Sequence, residues 1–333
     1  MSNACEWWMG LNDPDLSIED TQVAIIGVPY DGSVSLDVGA AEAPGTMREL
    51  SILVEPYTDT LIDLRQLRLK DVGDAAVDNS NAEKTQAAVE AAVSGIVKAG
   101  VLPVLVGGDH SITSAAVKAF SNYKNLGIIW FDSHPDLMDV YEGYEKSGTS
   151  RWNHACPLRR VTELSCIDTR YVLLIGIRDI MDEESRFAQE RGIEIITAYV
   201  LDSISAGELA DRIGRKFKGA SGVYLSIDID VLDPAYAPGT GVPVPGGIAT
   251  RCILSLLREM LEREKQAFRE EQHYIRIIGA DIVEVAPPLD IRNMTSLAAI
   301  SILKGILAFL AVQIGEGRRT EPLSAGSNHL KGG

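Results

Sequence analysis

Basic residues are scarce in this 333-residue chain: 31 Lys and Arg stand against 47 Asp and Glu, a formal net charge of −16. A nucleic-acid binder must neutralise phosphates with clustered cations, so the balance argues against one. It disfavours an anionic membrane surface for the same reason. Cysteine is scarce too. The four thiols, Cys5, Cys156, Cys166 and Cys252, show no CxxC or CxxH spacing, which reads as a reduced, cytoplasmic protein. The opening MSNACEWWMGLNDPD carries acid where a signal peptide carries base, so secretion is not expected. The one long apolar run, Ser296–Val312, is short for a membrane span and holds Lys304 and Gly305 near its middle; a buried core helix is expected.

Apolar residues make up 46% of the chain and charged residues 23%, enough for a sizeable core. No internal repeat and no Pro/Ser-rich linker divides it. One domain over residues 1–333 is expected, with a core of about 20–313 and a polar, glycine-rich tail at 314–333. Strand-like runs fall at Gln22–Val28, Leu61–Leu64, Val101–Val106, Gly127–Phe131, Tyr171–Ile177, Glu194–Ala198, Val223–Ile229 and Ile275–Ile282. Helical periodicity falls at Ala82–Lys98, Ile112–Phe120, Asp182–Arg191, Gly207–Lys216, Thr250–Glu264 and Thr295–Val312. Alternation of helices with doubly apolar strands predicts a three-layer α/β/α sandwich around a mainly parallel sheet of about eight strands.

In such sheets ligands bind beyond the carboxyl ends of the strands. The polar clusters sit there: Gly107-Gly108-Asp109-His110, Asp132-Ser133-His134-Pro135-Asp136 and Asp228-Ile229-Asp230 each follow a strand-like run. Side chains at i, i+2 and i+4 of an extended segment share a face. Asp132, His134 and Asp136 therefore converge, and Asp228 and Asp230 repeat the geometry. Alone, a DxD or DxH reads equally as a turn or solvated edge, and His110 as a satisfied histidine beside a tight turn. Together, four carboxylates and two imidazoles at one rim repel unless a cation neutralises them. The set is too rich in oxygen for structural zinc. It suits a pair of ions such as Mn²⁺, with Ni²⁺ or Co²⁺ able to bind the same ligands. Two metals about 3.5–4 Å apart bring a shared water's pKa towards neutrality.

The stretches Gly107–Ser111, Trp130–Asp136 and Ser226–Gly241, with shorter matches at Gly27–Gly32, Ile175–Arg178 and Asp281–Val285, resemble the three blocks of the ureohydrolase family, which comprises arginases, agmatinases and guanidino-acid hydrolases. The resemblance runs from about Val23 to Val312. It implies an arginase-type fold, a binuclear Mn²⁺ centre and cleavage of a guanidino group to urea and an amine. By motif, one metal takes His110, Asp132, Asp136 and Asp228. The other takes Asp132, His134, Asp228 and Asp230, with Asp132 and Asp228 bridging. The resemblance also makes Asp136 the orienter of the attacking hydroxide, Glu284 the partner of the substrate guanidinium and His154 the proton shuttle to the leaving amine. Asp109 and Asp233 read as supporting residues. A homo-oligomer, trimer or hexamer, is implied in the same way.

The chain also departs from the family pattern. Ser133 stands where alanine is usual and, being small, is not expected to disturb the ligands. The loops Ser33–Arg48 and Leu137–Asn153 are individual and border the entrance, where the far end of the substrate is read. The Glu284–Asp290 segment looks more like the agmatinase branch, and acidic rim residues such as Glu142 or Glu145 would favour agmatine's distal ammonium. Lys146, Arg151 or Arg178 would instead suit a guanidino acid. Free guanidine, a guanidine-like drug or a formimino compound are alternative substrates. A non-catalytic partner subunit on the same scaffold would be expected to have lost ligands, and none of the six is missing.

Overall fold

The structure, a computed structural model, describes residues 4–142 and 149–315. Its frame is an eight-stranded sheet with strands β1 (Val23–Gly27), β2 (Leu69–Asp74), β3 (Leu102–Val106), β4 (Leu126–Phe131), β5 (Ile167–Ile177), β6 (Glu194–Thr197), β7 (Gly222–Asp228) and β8 (Ile277–Val283). The order across the sheet is β2-β1-β3-β8-β7-β4-β5-β6, and every pairing is parallel. Period-two alternation sends Val23, Val104, Ile129 and Leu173 into one core, and Ala24, Leu105, Ile128 and Val172 into the other. Helices α1 (Ala43–Ser51), α6 (Ala206–Lys216), α7 (Thr250–Arg269) and α8 (Met294–Ile314) cover the first face. Helices α2 (Ala82–Lys98), α3 (Ile112–Lys118), α4 (Pro157–Thr162) and α5 (Asp182–Arg191) cover the second. The three-layer sandwich expected from the sequence is the fold observed.

Helix α8 is, among the described residues, the one helix long and apolar enough to cross a membrane. Here it packs against α7 and the sheet with most of its side chains buried, as the sequence led us to expect of the run at Ser296–Val312.

Two expectations fail at the sheet edge. Leu61–Leu64 is not a strand: Leu61 has φ +60° and is 81% exposed, in a turn before a 3₁₀ segment. The edge strand is β2, whose sequence LKDVGD shows no apolar run because it pairs on one side only and half of it faces outward. Polar clamps hold it instead. Arg48 donates from Nε to Asp71 Oδ2 (2.6 Å) and from Nη1 to Asp74 Oδ1 (2.6 Å), and Trp8 Nε1 donates to Asp71 Oδ2 (2.7 Å). Arg48 lies on α1, so the segment Ser33–Arg48 is a loop only in its first half. Pro44 in the first turn is compatible with the helix because the amide it lacks would have no intrahelical partner.

The carboxyl ends of the four central strands, β3, β8, β7 and β4, lie side by side and place the four polar segments at one rim. Gly107 and Gly108 make the sharp exit from β3. Their φ values are +92° and +78°, and a Cβ on Gly107 would stand 2.4 Å from Pro44 Cδ, so only glycine lets the chain turn here and deliver His110. Arg48→Ala is expected to destabilise the chain by about 3–5 kcal/mol, since it strands the buried Asp71 carboxylate; the shift of the urea unfolding midpoint measures it.

Candidate metal centre and active site

His110, from the β3 exit, is buried and stacks on Trp130 with ring centroids 3.9 Å apart and 8° between planes. Its Nε2 lies 2.8 Å from Ser226 Oγ, whose own hydroxyl donates to Asp281 Oδ1 at 2.6 Å. With its proton committed to Asp281, Ser226 accepts from His110, so in the neutral ring the proton sits on Nε2 and leaves the Nδ1 lone pair free to act as a ligand. That lone pair faces three carboxylate oxygens, Asp132 Oδ2 at 3.0 Å and Asp136 Oδ2 and Asp228 Oδ2 at 3.1 Å. Among the described residues it has no hydrogen-bond partner although it is buried. With the oxygens of Asp132 and Asp228 this nitrogen forms a group that could hold a cation, and Asp136 Oδ2 lies beside it.

A second group adjoins the first. His134 Nδ1 lies 3.1 Å from Asp230 Oδ2 and 3.5 Å from Asp132 Oδ1. The ligand atoms of His110, Asp132 and Asp228, and those of Asp132, His134 and Asp230, each fall within 4.8 Å of one another, so Asp132 belongs to both groups. Asp228 falls in the first group alone; its Oδ1 accepts the Asp230 amide (2.8 Å).

Electrostatics reports the same crowding. Burial pushes the Asp136 carboxyl well above the usual range, reinforced by Asp132; burial does so at Asp228 too, reinforced by Asp230 and Asp132. Burial also acts to raise Asp132, yet His110 and His134 bring it well below the usual range. Burial opposes protonation of His134, but Asp230 and Asp132 push it up to about 12. Without a divalent cation, the cluster holds protons in its place.

Two ligand-bearing segments adopt costly backbone. Asp136 (φ +52°) and Glu284 (φ +60°) both sit in the left-handed region without being glycine, at about 1–2 kcal/mol each. Glu284, buried at the end of β8, accepts at Oε1 from the His110 amide (2.8 Å) and lies 3.0 Å from His154 Nδ1. On the other side of the imidazole, the Ser35 amide donates to His154 Nε2 (3.0 Å), with Ser35 Oγ at 2.8 Å. An acceptor at Nε2 leaves the proton on Nδ1, directed at Glu284. Ser35 itself is fixed through Ser33, whose amide and hydroxyl both donate to the buried carboxylate of Asp109. Asp109 is pushed up to about 6 by burial and by Glu284. Asp233 instead clamps a loop, accepting from the amides of Ala235, Gly246 and Gly247.

All eight residues singled out from the sequence therefore meet in one place. All but Asp132 border a cavity of about 130 Å³ whose outer wall is Met138, Tyr141, Ile180, Met181 and Val242, with Asp179 at the rim. The sequence reading did not assign roles to Trp130, Ser226, Asp281 or Thr240. An acidic residue inside the apolar strand IIGADIV was the available signal for Asp281. Thr240 Oγ1 is buried on the cavity wall without a partner among the described residues, and nothing in the sequence marked it. Ser133 adds a contact that the sequence did not show: its hydroxyl donates to Asp230 Oδ2 (2.8 Å) and lies 2.9 Å from His134 Nδ1. The Arg178 guanidinium is occupied by backbone carbonyls, among them those of Val244 (2.7 Å) and Asp230 (2.6 Å). Arg151 pairs with Glu163. Lys146, Glu145 and the side chain of Glu142 lie outside the described residues.

Acids and histidines gathered at the carboxyl rim of a parallel sheet form a site that could hold metal ions. The chain belongs to the arginase family, the ureohydrolases that act on guanidino C–N bonds, whose family model matches residues 21–308. Members are generally dependent on a binuclear metal centre. It is 35% identical over 291 residues to an agmatinase of Bacillus subtilis, covering 87% of this chain and 92% of the relative. It is 33% identical over 295 residues to a guanidinopropionase of Pseudomonas aeruginosa, covering 87% of each. Among solved structures, the proclavaminate amidinohydrolase of Streptomyces clavuligerus superposes with a TM-score of 0.81 at 31% identity, over 92% of this chain and 97% of that one.

Ser133→Ala is expected to destabilise the metal-free chain by about 1–3 kcal/mol, because the buried Asp230 loses a donor. Urea unfolding in the presence of a chelator reads it directly.

Proposed function

We propose that this enzyme hydrolyses the guanidino group of a small cationic substrate, agmatine or a related guanidino compound, to urea and an amine. The carrying observation is the pair of ligand groups joined at Asp132, with Glu284 and His154 on the wall of the same cavity. His110, Asp132, Asp136 and Asp228 would hold one metal, and Asp132, His134, Asp228 and Asp230 the other. Mn²⁺ is the metal we propose, with Ni²⁺ and Co²⁺ suited to the same donors. When bound, the pair supplies the Lewis acidity that brings a water's pKa towards neutrality.

The remaining steps belong to the chain. Oε1 of Glu284 is engaged by His110 and His154, and among the described residues no donor reaches Oε2. That oxygen can accept from the planar guanidinium and hold its carbon over the metal centre. The unpartnered Thr240 hydroxyl can accept a further N–H. Asp136, beside the His110 lone pair, can accept the proton of the attacking water. Burial disfavours protonated His154, but Glu284 raises its proton affinity above that of an ordinary histidine. That shift favours its taking up a proton and passing it to the leaving amine, once Nε2 separates from Ser35.

Among the described residues no Lys or Arg lines the cavity, and both Arg178 and Arg151 are engaged elsewhere. A carboxylate at the far end of the substrate would find an apolar wall and Asp179, whereas an ammonium would find a partner. This supports agmatine. Hydrolysis of a guanidino acid is the second reading, favoured by the guanidinopropionase relative. We further propose a cytoplasmic homo-oligomer, trimer or hexamer, built from one domain over residues 1–333.

A urea-release screen over agmatine, arginine, guanidinobutyrate, guanidinopropionate and guanidine, each with Mn²⁺, Ni²⁺ and Co²⁺, tests the proposal. Agmatine is expected to give the largest kcat/KM; turnover confined to the guanidino acids would replace it by the second reading. Two metals bound without turnover of any guanidino compound would point to a non-catalytic subunit. His154→Ala is expected to retain two metals per chain by elemental analysis while kcat falls about 10²–10⁴-fold. Full activity would remove His154 from the proton path.

A further inference from the structure

Lys304 is the one charged residue in α8, a helix otherwise apolar or neutral, and it is half-buried. It forms no ion pair among the described residues. It lines a cavity of about 420 Å³ between α7, α8 and the turn at Thr58–Thr60, which shares no residue with the candidate active site. Two further cations, Arg251 and Arg258, line it, against a single carboxylate, Asp59. Asp59 meets Arg258 at 3.4 Å in an exposed pair, a contact of little energetic weight, and Arg251 forms no ion pair among the described residues. A chain with a net charge of −16 thus gathers three cations around one recess. The rest of the lining divides by chemistry: Ser255, Ser301 and Thr250 offer hydroxyls, while Leu254, Leu257, Leu261 and Ala308 give an apolar surface. Gly305 keeps the helices close here, since a Cβ on it would meet Leu257 Cδ1 at 2.9 Å.

We infer that this recess is a second binding site, for a small organic anion. Its carboxylate or phosphate head is held by Lys304, Arg251 and Arg258, and its short hydrocarbon body rests on the leucines. A half-buried ammonium without a counter-ion is costly, and an anionic head removes that cost where the apolar floor removes the tail from water. Such a ligand would bear on α7 and α8 without entering the catalytic pocket.

Titration calorimetry on the metal-loaded full chain tests this, with hexanoate and hexyl phosphate in separate arms and hexylamine as the cationic control. Saturable binding of one anion per chain is expected, with none for hexylamine; the tighter arm identifies the headgroup. Binding should persist in Asp230→Ala, which alters only the metal rim. It should weaken at least about tenfold in Lys304→Met, which keeps the apolar stem and leaves urea release unchanged. Arg251→Met, at an exposed position, provides the same reading should Lys304→Met fold poorly. Absence of binding in both arms overturns the inference. So does affinity unchanged in both variants, loss in Asp230→Ala, or a changed sedimentation coefficient in Lys304→Met, which would make the recess a contact between copies of this chain.

Discussion

Mutual repulsion among Asp132, Asp136, Asp228 and Asp230 is the constraint around which the carboxyl rim is arranged. Four carboxylates gathered in a dry recess have no reason to stay together unless positive charge is supplied between them. The fold spends many interactions on keeping them there. Trp130 donates to Asp132 and stacks on His110; Ser133 donates twice to Asp230; Arg178 ties down the carbonyls around that turn. The proton relay from His110 through Ser226 to Asp281 is the most consequential of these. It determines which imidazole nitrogen meets the carboxylates, and therefore whether the site attracts a cation or merely stores protons.

A continuous path of contacts joins this rim to the groups proposed to meet substrate. The His110 amide holds Glu284, Glu284 accepts from His154, His154 accepts from Ser35, and Ser33 nearby is anchored on Asp109, the residue preceding His110. The path closes on itself within a few residues. Such a circuit can over-determine geometry, which is how the left-handed backbones of Asp136 and Glu284 persist despite their cost.

The alternation of strands and helices was legible because most strands are buried on both faces and read as unbroken apolar runs. The metal rim was legible because acids and histidines interrupt those runs at their ends. Edge strand β2 was not, since one neighbour and polar clamps replace the apolar signal. Nor was the relay behind His110. Ser226 lies in register with Asp281 on one side and with Trp130 on the other, and cross-strand register over long sequence separations leaves no local trace. Glu284 and His154 were readable through family resemblance alone; taken singly, each is an ordinary polar residue near a strand end. The partners of Ser133 and Arg178 were not legible for a shared reason. Size and charge can be read from a sequence, but which partners a side chain has already satisfied cannot.

The commitment of Arg178 to backbone carbonyls bears on how this scaffold can change its selectivity. The Arg178 guanidinium is a structural fastener and cannot be recruited for anion recognition without loosening the turn that carries Asp230. A lineage or a designer seeking activity on acidic substrates must therefore add a cation from the outer wall. Met181 and Val242 are suitable positions, since they face the cavity and hold neither a ligand nor a loop. Adaptation at the mouth is in this way uncoupled from the chemistry at the floor, and the pocket can diversify while its reaction stays fixed.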